Sequence, residues 1–134
     1  MPTKTRSARV LLAAAALGAI VLAGCTPEQI AAFKHAQAQA KANDKFHHVL
    51  SESGLARLRQ CESGGNYQVV SASGAYRGAY QFSRSTWNSV AKQHYPHLVG
   101  TDPAAATHYD QDRMARALWA MSGRSPWPVC GKRV

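Results

Sequence analysis

Carboxylates are scarce in this chain. Its 134 residues hold 7 Asp and Glu against 16 Lys and Arg, a formal charge of +9. Acid–base chemistry by a carboxylate must therefore come from Glu28, Asp44, Glu52, Glu62, Asp102, Asp110 or Asp112. So few acids argue against a calcium or magnesium cage, which needs several clustered oxygen ligands. Cysteine is scarce too: there are 3, with no Cys-x-x-Cys spacing and no nearby His to complete a tetrahedral site. No G-x-S-x-G nucleophile elbow and no phosphate-binding glycine loop occurs. Internal repeats are absent, and no apolar run reaches the roughly 20 residues of a membrane-spanning helix. What is present is 46% hydrophobic residues, enough for a core. The length suits one domain and not two. The basic excess points to an anionic partner: nucleic acid, a membrane surface or an acidic cell-wall polymer.

Part of that charge belongs to an export signal. Lys4, Arg6 and Arg9 precede an uncharged apolar run from Val10 to Leu22. Its length and flanks are those of a signal-peptide core. The run ends Leu22-Ala23-Gly24-Cys25, similar to a bacterial lipobox. The expectation is a lipoprotein signal over 1–24, with Cys25 lipidated and the protein held on the membrane. An ordinary signal peptide and a plain membrane anchor are the alternatives. Removing residues 1–24 takes three of the 16 basic residues and none of the 7 acidic ones, which leaves +6. Export makes Cys61 and Cys130 a candidate disulfide. Two buried free thiols are the other reading.

Thr26 to Asn43 is rich in Ala, Gln and Lys, with Ile30 and Phe33 as its large apolar residues. It reads as a weak helix or tether over 25–45, ahead of a folded domain over 46–134. His47 and His48 read as a solvated junction. Ser51 or Ser53 caps a helix that carries Leu55, Leu58 and Cys61 and ends at Gly64-Gly65. Residues 66–82 predict turns and a short β-hairpin. Ser83 or Ser85 caps a second helix with Trp87, Val90 and Ala91 inward, and 95–100 reads as a loop. Asp102-Pro103 predicts the start of a third helix running to Met121. Its inward residues are Met114, Ala117, Leu118 and Met121.

Most of the acids find ordinary roles in that layout. Asp102 caps a helix, Glu52 lies in a first helical turn, and Glu28 and Asp44 fall in the tether. Asp110 with Arg113, and Asp112 with Arg116, have the spacing of surface helix pairs. Glu62 is left over. At a helix C-terminus the dipole disfavours a carboxylate, and apolar neighbours would desolvate it; both raise its pKa, as a general acid requires. From position alone, a surface Glu beside a turn is the simpler explanation. No second carboxylate pairs with it obviously, although Asp110 or Asp112 is free to approach in three dimensions. His94, His97 and His108 read as loop or surface histidines rather than a metal or base cluster.

Three blocks carry a resemblance: Leu58-Arg59-Gln60-Cys61-Glu62-Ser63-Gly64-Gly65-Asn66-Tyr67, then Gly78-Ala79-Tyr80-Gln81-Phe82-Ser83-Arg84-Ser85-Thr86-Trp87, then Trp127-Pro128-Val129-Cys130-Gly131. Together they resemble the catalytic domain of resuscitation-promoting factors. The Glu-Ser start and the Tyr-Gln pair also resemble lytic transglycosylases of the wider lysozyme-like group. The resemblance implies an α+β, mainly helical, small lysozyme-like fold with a short β-hairpin and one disulfide, Cys61 to Cys130. It implies cleavage of the β-1,4 bond between N-acetylmuramic acid and N-acetylglucosamine in peptidoglycan, in cell-wall remodelling or resuscitation. The catalytic Glu falls on Glu62. Glycan contacts fall on Tyr76, Gln81 and Thr86, with Asn66 supporting the site. Trp87 and Trp127 are expected in the core.

No cofactor and no metal is implied. The expected partners are peptidoglycan glycan strands and, through Cys25, the membrane; nucleic acid is not expected, and the protein reads as a monomer. The alternative is a non-catalytic wall-binding lipoprotein of the same fold. Departures from the family pattern are Tyr67 in place of Trp, a longer turn from Asn66 to Tyr76, Gly78-Ala79 in place of Gly-Gly, Arg124 in place of Trp, and a divergent stretch over 91–108. They bear on subsite shape more than on the role of Glu62.

Overall fold

The structure is a computed structural model and describes residue 24 and residues 26–134, apart from the side chains of 36, 37 and 40. Residues 1–23 of the expected export signal and Cys25 lie outside the described residues. Four α-helices are seen among the described residues: α1 Pro27–Ala42, α2 Glu52–Ser63, α3 Arg84–His94 and α4 His108–Ser122. Short 3-10 turns follow at Pro96–Leu98 and Cys130–Arg133.

The helix starts follow their caps. Thr26 caps α1 in a capping box, its hydroxyl taking Gln29 N–H while Gln29 Oε1 takes Thr26 N–H, and Pro27 occupies the first helical position. Ser51 caps α2 by accepting Gly54 N–H at 3.1 Å, and Ser83 caps α3 by accepting Thr86 N–H at 3.1 Å. Gly64, in the left-handed region at φ 66°, ends α2.

α4 starts later than the sequence predicts. Asp102 and Pro103 sit in turns; Thr107 is the cap, accepting Asp110 N–H at 3.1 Å. Asp102 faces two cations instead, Arg77 Nη2 at 2.5 Å and Arg84 Nη2 at 3.1 Å. Asp102 Oδ1 still accepts Ala104 N–H at 3.0 Å, so it caps a short turn that is not continued into α4.

The core forms where α2, α3 and α4 meet. Leu55 and Leu58 from α2, Trp87, Val90 and Ala91 from α3, and Met114, Ala115, Ala117 and Leu118 from α4 are buried together. Phe82 sets its edge against Trp87 and Trp127, with ring centroids 5.4 and 6.2 Å apart. Both buried indoles are satisfied: Trp87 Nε1 donates to Leu98 O and Trp127 Nε1 to Tyr80 O. Met121, expected inward, is 41% exposed because α4 has run past the core by its last turn.

The expected hairpin reduces to two isolated antiparallel bridges, Val70 with Arg77 and Arg77 with Phe82. No strand longer than one pair forms among the described residues. Left-handed turns at Gly78, φ 80°, and Gln81, φ 51°, curl the chain before a ladder can extend. Gly78 has no room for a side chain, since a Cβ would meet Gln111 Oε1 and Pro103 O.

Two charged residues expected elsewhere turn inward. Asp44, read as part of the tether, is 2% exposed. Arg116, read as a surface partner of Asp112, is buried as well. Arg116 donates to Asp44 Oδ2 at 2.7 Å, Glu52 Oε1 at 2.6 Å and Leu50 O at 2.9 Å. These contacts fasten the segment ahead of α2 to α4. Asp110 does pair with Arg113.

Candidate active site

Glu62 lies in the last turn of α2, which contains no basic residue. Its carbonyl ends are otherwise well served. Gly64 N–H donates to Gln60 O, while Gly65 N–H and Ser63 Oγ both donate to Arg59 O. Glu62 is partly buried, and burial pushes its carboxyl pKa up. No hydrogen bond or ion pair to it is found among the described residues. A carboxyl group in that state keeps its proton to a higher pH than an exposed one.

A groove opens on Glu62, lined also by Tyr76, Gln81, Trp127, Val129 and Cys130. It continues, through Tyr76, Gln81 and Trp127, past Tyr80 and Ser83 to Thr86. Glu62 thus lines one part of the cleft and Thr86 the other, and Gln81 lines both. Glu62 is the one carboxylate on its walls among the described residues.

The cleft walls are fixed by specific contacts. Gln81 Nε2 donates to Gly78 O at 2.9 Å, which leaves its carbonyl oxygen as a free acceptor. Thr86 Oγ1 accepts from Ser83 Oγ at 2.9 Å, so its own hydroxyl proton is free to donate. Tyr76 is 53% exposed, presenting a ring to the opening. The facing wall comes from the C-terminal segment. Cys61, next to Glu62, is bridged to Cys130 with a Cα separation of 5.6 Å, and this disulfide draws Trp127 to Cys130 against the end of α2. A disulfide fits an exported protein.

Asn66 stands apart from the other predicted contacts. It is exposed, lines neither part of the groove, and its Oδ1 accepts Gln68 N–H at 2.9 Å. Its visible role is to shape the turn after Glu62. Trp87 is wholly buried; Trp127 is core on one side and cleft on the other. Among the groove residues that sequence reasoning passed over are Pro126, which lines both parts, and Val129, 68% exposed beside Glu62. An apolar residue in a Pro-broken tail next to a bridged Cys was the signal for Val129.

Behind the groove lies a polar cluster. Asp112 Oδ1 accepts the hydroxyls of Tyr67 at 2.8 Å and Tyr80 at 2.5 Å, with Arg59 Nη1 3.9 Å away. Burial raises the Asp112 pKa, while the two hydroxyl donors oppose that rise. Burial, and then the Asp112 charge, push both tyrosines up. His94, His97 and His108 do not converge: His97 Nε2 sits 2.6 Å from Arg113 Nη2, and His108 packs on Tyr109. No group of three His, Cys, Asp or Glu able to hold a metal is found among the described residues.

The Transglycosylase-like domain family matches residues 50–130. A probable transglycosylase SceD of Staphylococcus epidermidis is 40% identical over 75 residues, which is 56% of this chain and 33% of that protein. Resuscitation-promoting factor Rpf of Micrococcus luteus is 32% identical over 78 residues, 58% of this chain and 31% of that protein. Resuscitation-promoting factor Rpf1 of Corynebacterium glutamicum is 39% identical over 74 residues, 55% and 36% respectively. The chain thus spans about a third of the length of the curated relatives it matches.

Proposed function

This chain belongs to the transglycosylase-like domain family, and from that premise we propose that it cleaves peptidoglycan at the β-1,4 bond between N-acetylmuramic acid and N-acetylglucosamine. One observation carries the reading: Glu62, partly buried and unpaired, is the one carboxylate along the groove among the described residues. A raised pKa keeps its proton available where an ordinary surface Glu has lost it.

In this mechanism Glu62 donates its proton to the glycosidic oxygen as the bond breaks. Positive charge develops at the anomeric carbon of the muramic acid ring. With no second carboxylate on the groove walls, the N-acetyl group of the substrate stabilises that centre, as in substrate-assisted hydrolases. Ionised Glu62 then takes the proton from the hydroxyl that attacks the anomeric carbon. The family name favours the sugar's own 6-hydroxyl, which yields a 1,6-anhydro end; water in the same place yields a reducing end. Gln81 accepts from, and Thr86 donates to, acetamido or hydroxyl groups of the glycan, while Tyr76 covers a ring face. Asn66 supports the site by holding the turn that follows Glu62.

Residues 1–24 act as the export signal in this reading. Cys25 carries the lipid, and α1 spaces the domain from the membrane. The mass of the mature N-terminal peptide checks this; a diacylglycerol on Cys25 is expected, and an unmodified Cys25 contradicts it. For the enzyme, the test is digestion of purified peptidoglycan followed by mass spectrometry. Released muropeptides lighter by one water identify the anhydro product. Binding to the wall with no released fragment contradicts the reading.

A further inference from the structure

Two consecutive residues of α4 that take no part in this chemistry reach both sides of the groove from behind. Gln111 is 1% exposed. Its Oε1 accepts Ala79 N–H at 2.8 Å, and its Nε2 donates to Tyr67 O and Ala106 O at 3.0 Å each. Asp112 takes the hydroxyls of Tyr67 and Tyr80 on one oxygen. These partners fall into two groups. Tyr67 directly follows the turn that ends α2, and Arg59 lies on α2 one turn ahead of Glu62. Ala79 and Tyr80 immediately precede Gln81. One amide and one carboxylate therefore tie the segment just after α2, and α2 itself through Arg59, to the turn that carries Gln81.

Other contacts hold that loop locally, among them Trp127 Nε1 on Tyr80 O and the buried ring of Phe82, but they do not reach the segment that follows Glu62. Arg77 and Phe82 exchange both backbone hydrogen bonds around Gln81 and shape its turn, but residues 66–82 form isolated bridges rather than a ladder that would set that turn against α2. Gln81 also has a positive φ of 51°, a conformation that a residue with a side chain holds only when its surroundings impose it. Gly78 packs against Gln111 too closely to admit a Cβ, which shows how tightly the amide is engaged. The aromatic rings of Tyr67 and Tyr80 would pack without their hydroxyls. The hydrogen bonds add direction, and direction is what places one wall of a cleft against the other.

We propose that Gln111 and Asp112 are positioning residues that set the separation of Glu62 and Gln81, and so the placement of the glycan against the acid. The proposal rests on the reading of Glu62 as that acid. Displacing a reacting group by about 1 Å costs on the order of a hundredfold in rate.

The test measures fragment release from purified peptidoglycan, at saturating substrate, by the full chain. The variants are Asp112→Ala, Asp112→Asn, Tyr67→Phe and Gln111→Met, with Glu62→Gln as reference. Circular dichroism fixes a temperature at which each is folded. Asp112→Ala and Gln111→Met are expected to lose at least about tenfold in that saturated rate. Asp112→Asn keeps an acceptor oxygen for both hydroxyls and is expected to recover most of the rate. Where Asp112→Ala fails to fold, Tyr67→Phe, which keeps the ring, reads the same tie. A merely structural pair would lower Tm and leave the saturated rate of the folded protein unchanged. Folded variants with wild-type rates, beside an inactive Glu62→Gln, overturn the positioning role alone. A fully active Glu62→Gln overturns the acid assignment, and the positioning role with it.

Discussion

Replacing Arg116 with methionine removes the one cation paired with Asp44 among the described residues. Arg116 donates three hydrogen bonds of 2.6–2.9 Å, to Asp44, Glu52 and Leu50 O, and both Arg116 and Asp44 are buried. The three losses are unequal. Glu52 is 61% exposed in its side chain and rehydrates, so its share is small. Asp44 keeps Phe46 N–H and a longer contact from Tyr95 OH, but loses its counter-charge. Stranding a buried charge in this way costs about 3–5 kcal/mol.

That is a large part of the roughly 5–15 kcal/mol that holds a domain together. It corresponds to a fall in Tm of some 10–30 °C. Urea unfolding followed by tryptophan fluorescence measures it. The double variant Arg116→Met with Asp44→Leu is expected to regain most of the loss, because the stranded charge goes too. A chain beginning at residue 46 lacks Asp44, and is expected to be less stable than one beginning at 43. A loss under about 1 kcal/mol for Arg116→Met, or strict additivity in the double variant, would refute the reasoning.

The pH dependence of activity follows from Glu62. Burial raises its pKa, and the step needs the protonated acid, so the rate falls as pH rises through that raised value. The alkaline limb of the rate profile is expected above the ordinary Glu range; a limb inside that range contradicts the assignment. Stability at low pH follows from Asp102, whose pKa the Arg77 hydrogen bonds hold down to about 2. A depressed pKa gives stability that is present above the usual Asp value and lost as pH falls toward about 2. Asp102→Asn is therefore expected to destabilise the domain at pH 6, with the gap to wild type closing near pH 2; a gap unchanged across that span contradicts the pairing.

Local signals in the sequence were the reliable ones. Ser51, Ser83 and Gly64 mark helix ends through hydrogen bonds and φ values confined to a few residues, and α2 and α3 begin and end close to where those residues place them. The start of α4 shows the limit. Asp102-Pro103 is a sound local start signal, and Asp102 does accept Ala104 N–H while pairing with Arg77 and Arg84, but the turn it starts is not continued into α4. The true cap was also legible: Thr107 with Asp110 three residues on is a capping-box pattern.

Long-range pairings were beyond such reading. Asp112 with Arg116 has helix-pair spacing, but Arg116 reaches back to Asp44 and Asp112 reaches to Tyr67 and Tyr80, and no periodicity reports those distances. For the cleft, the motif blocks carry Glu62, Gln81 and Thr86 and the family resemblance adds Tyr76; all four line the groove. Asn66 shared a block with Glu62 but not its surroundings, because the turn after Gly64 carries its side chain outward to solvent.

The central claim is that Glu62 is the acid. Glu62→Gln keeps the side chain's size and removes the proton donor. With the fold verified by circular dichroism, the account predicts that release of muropeptides from purified peptidoglycan falls by about 10²–10⁴-fold while wall binding persists. Release at the wild-type rate would contradict it.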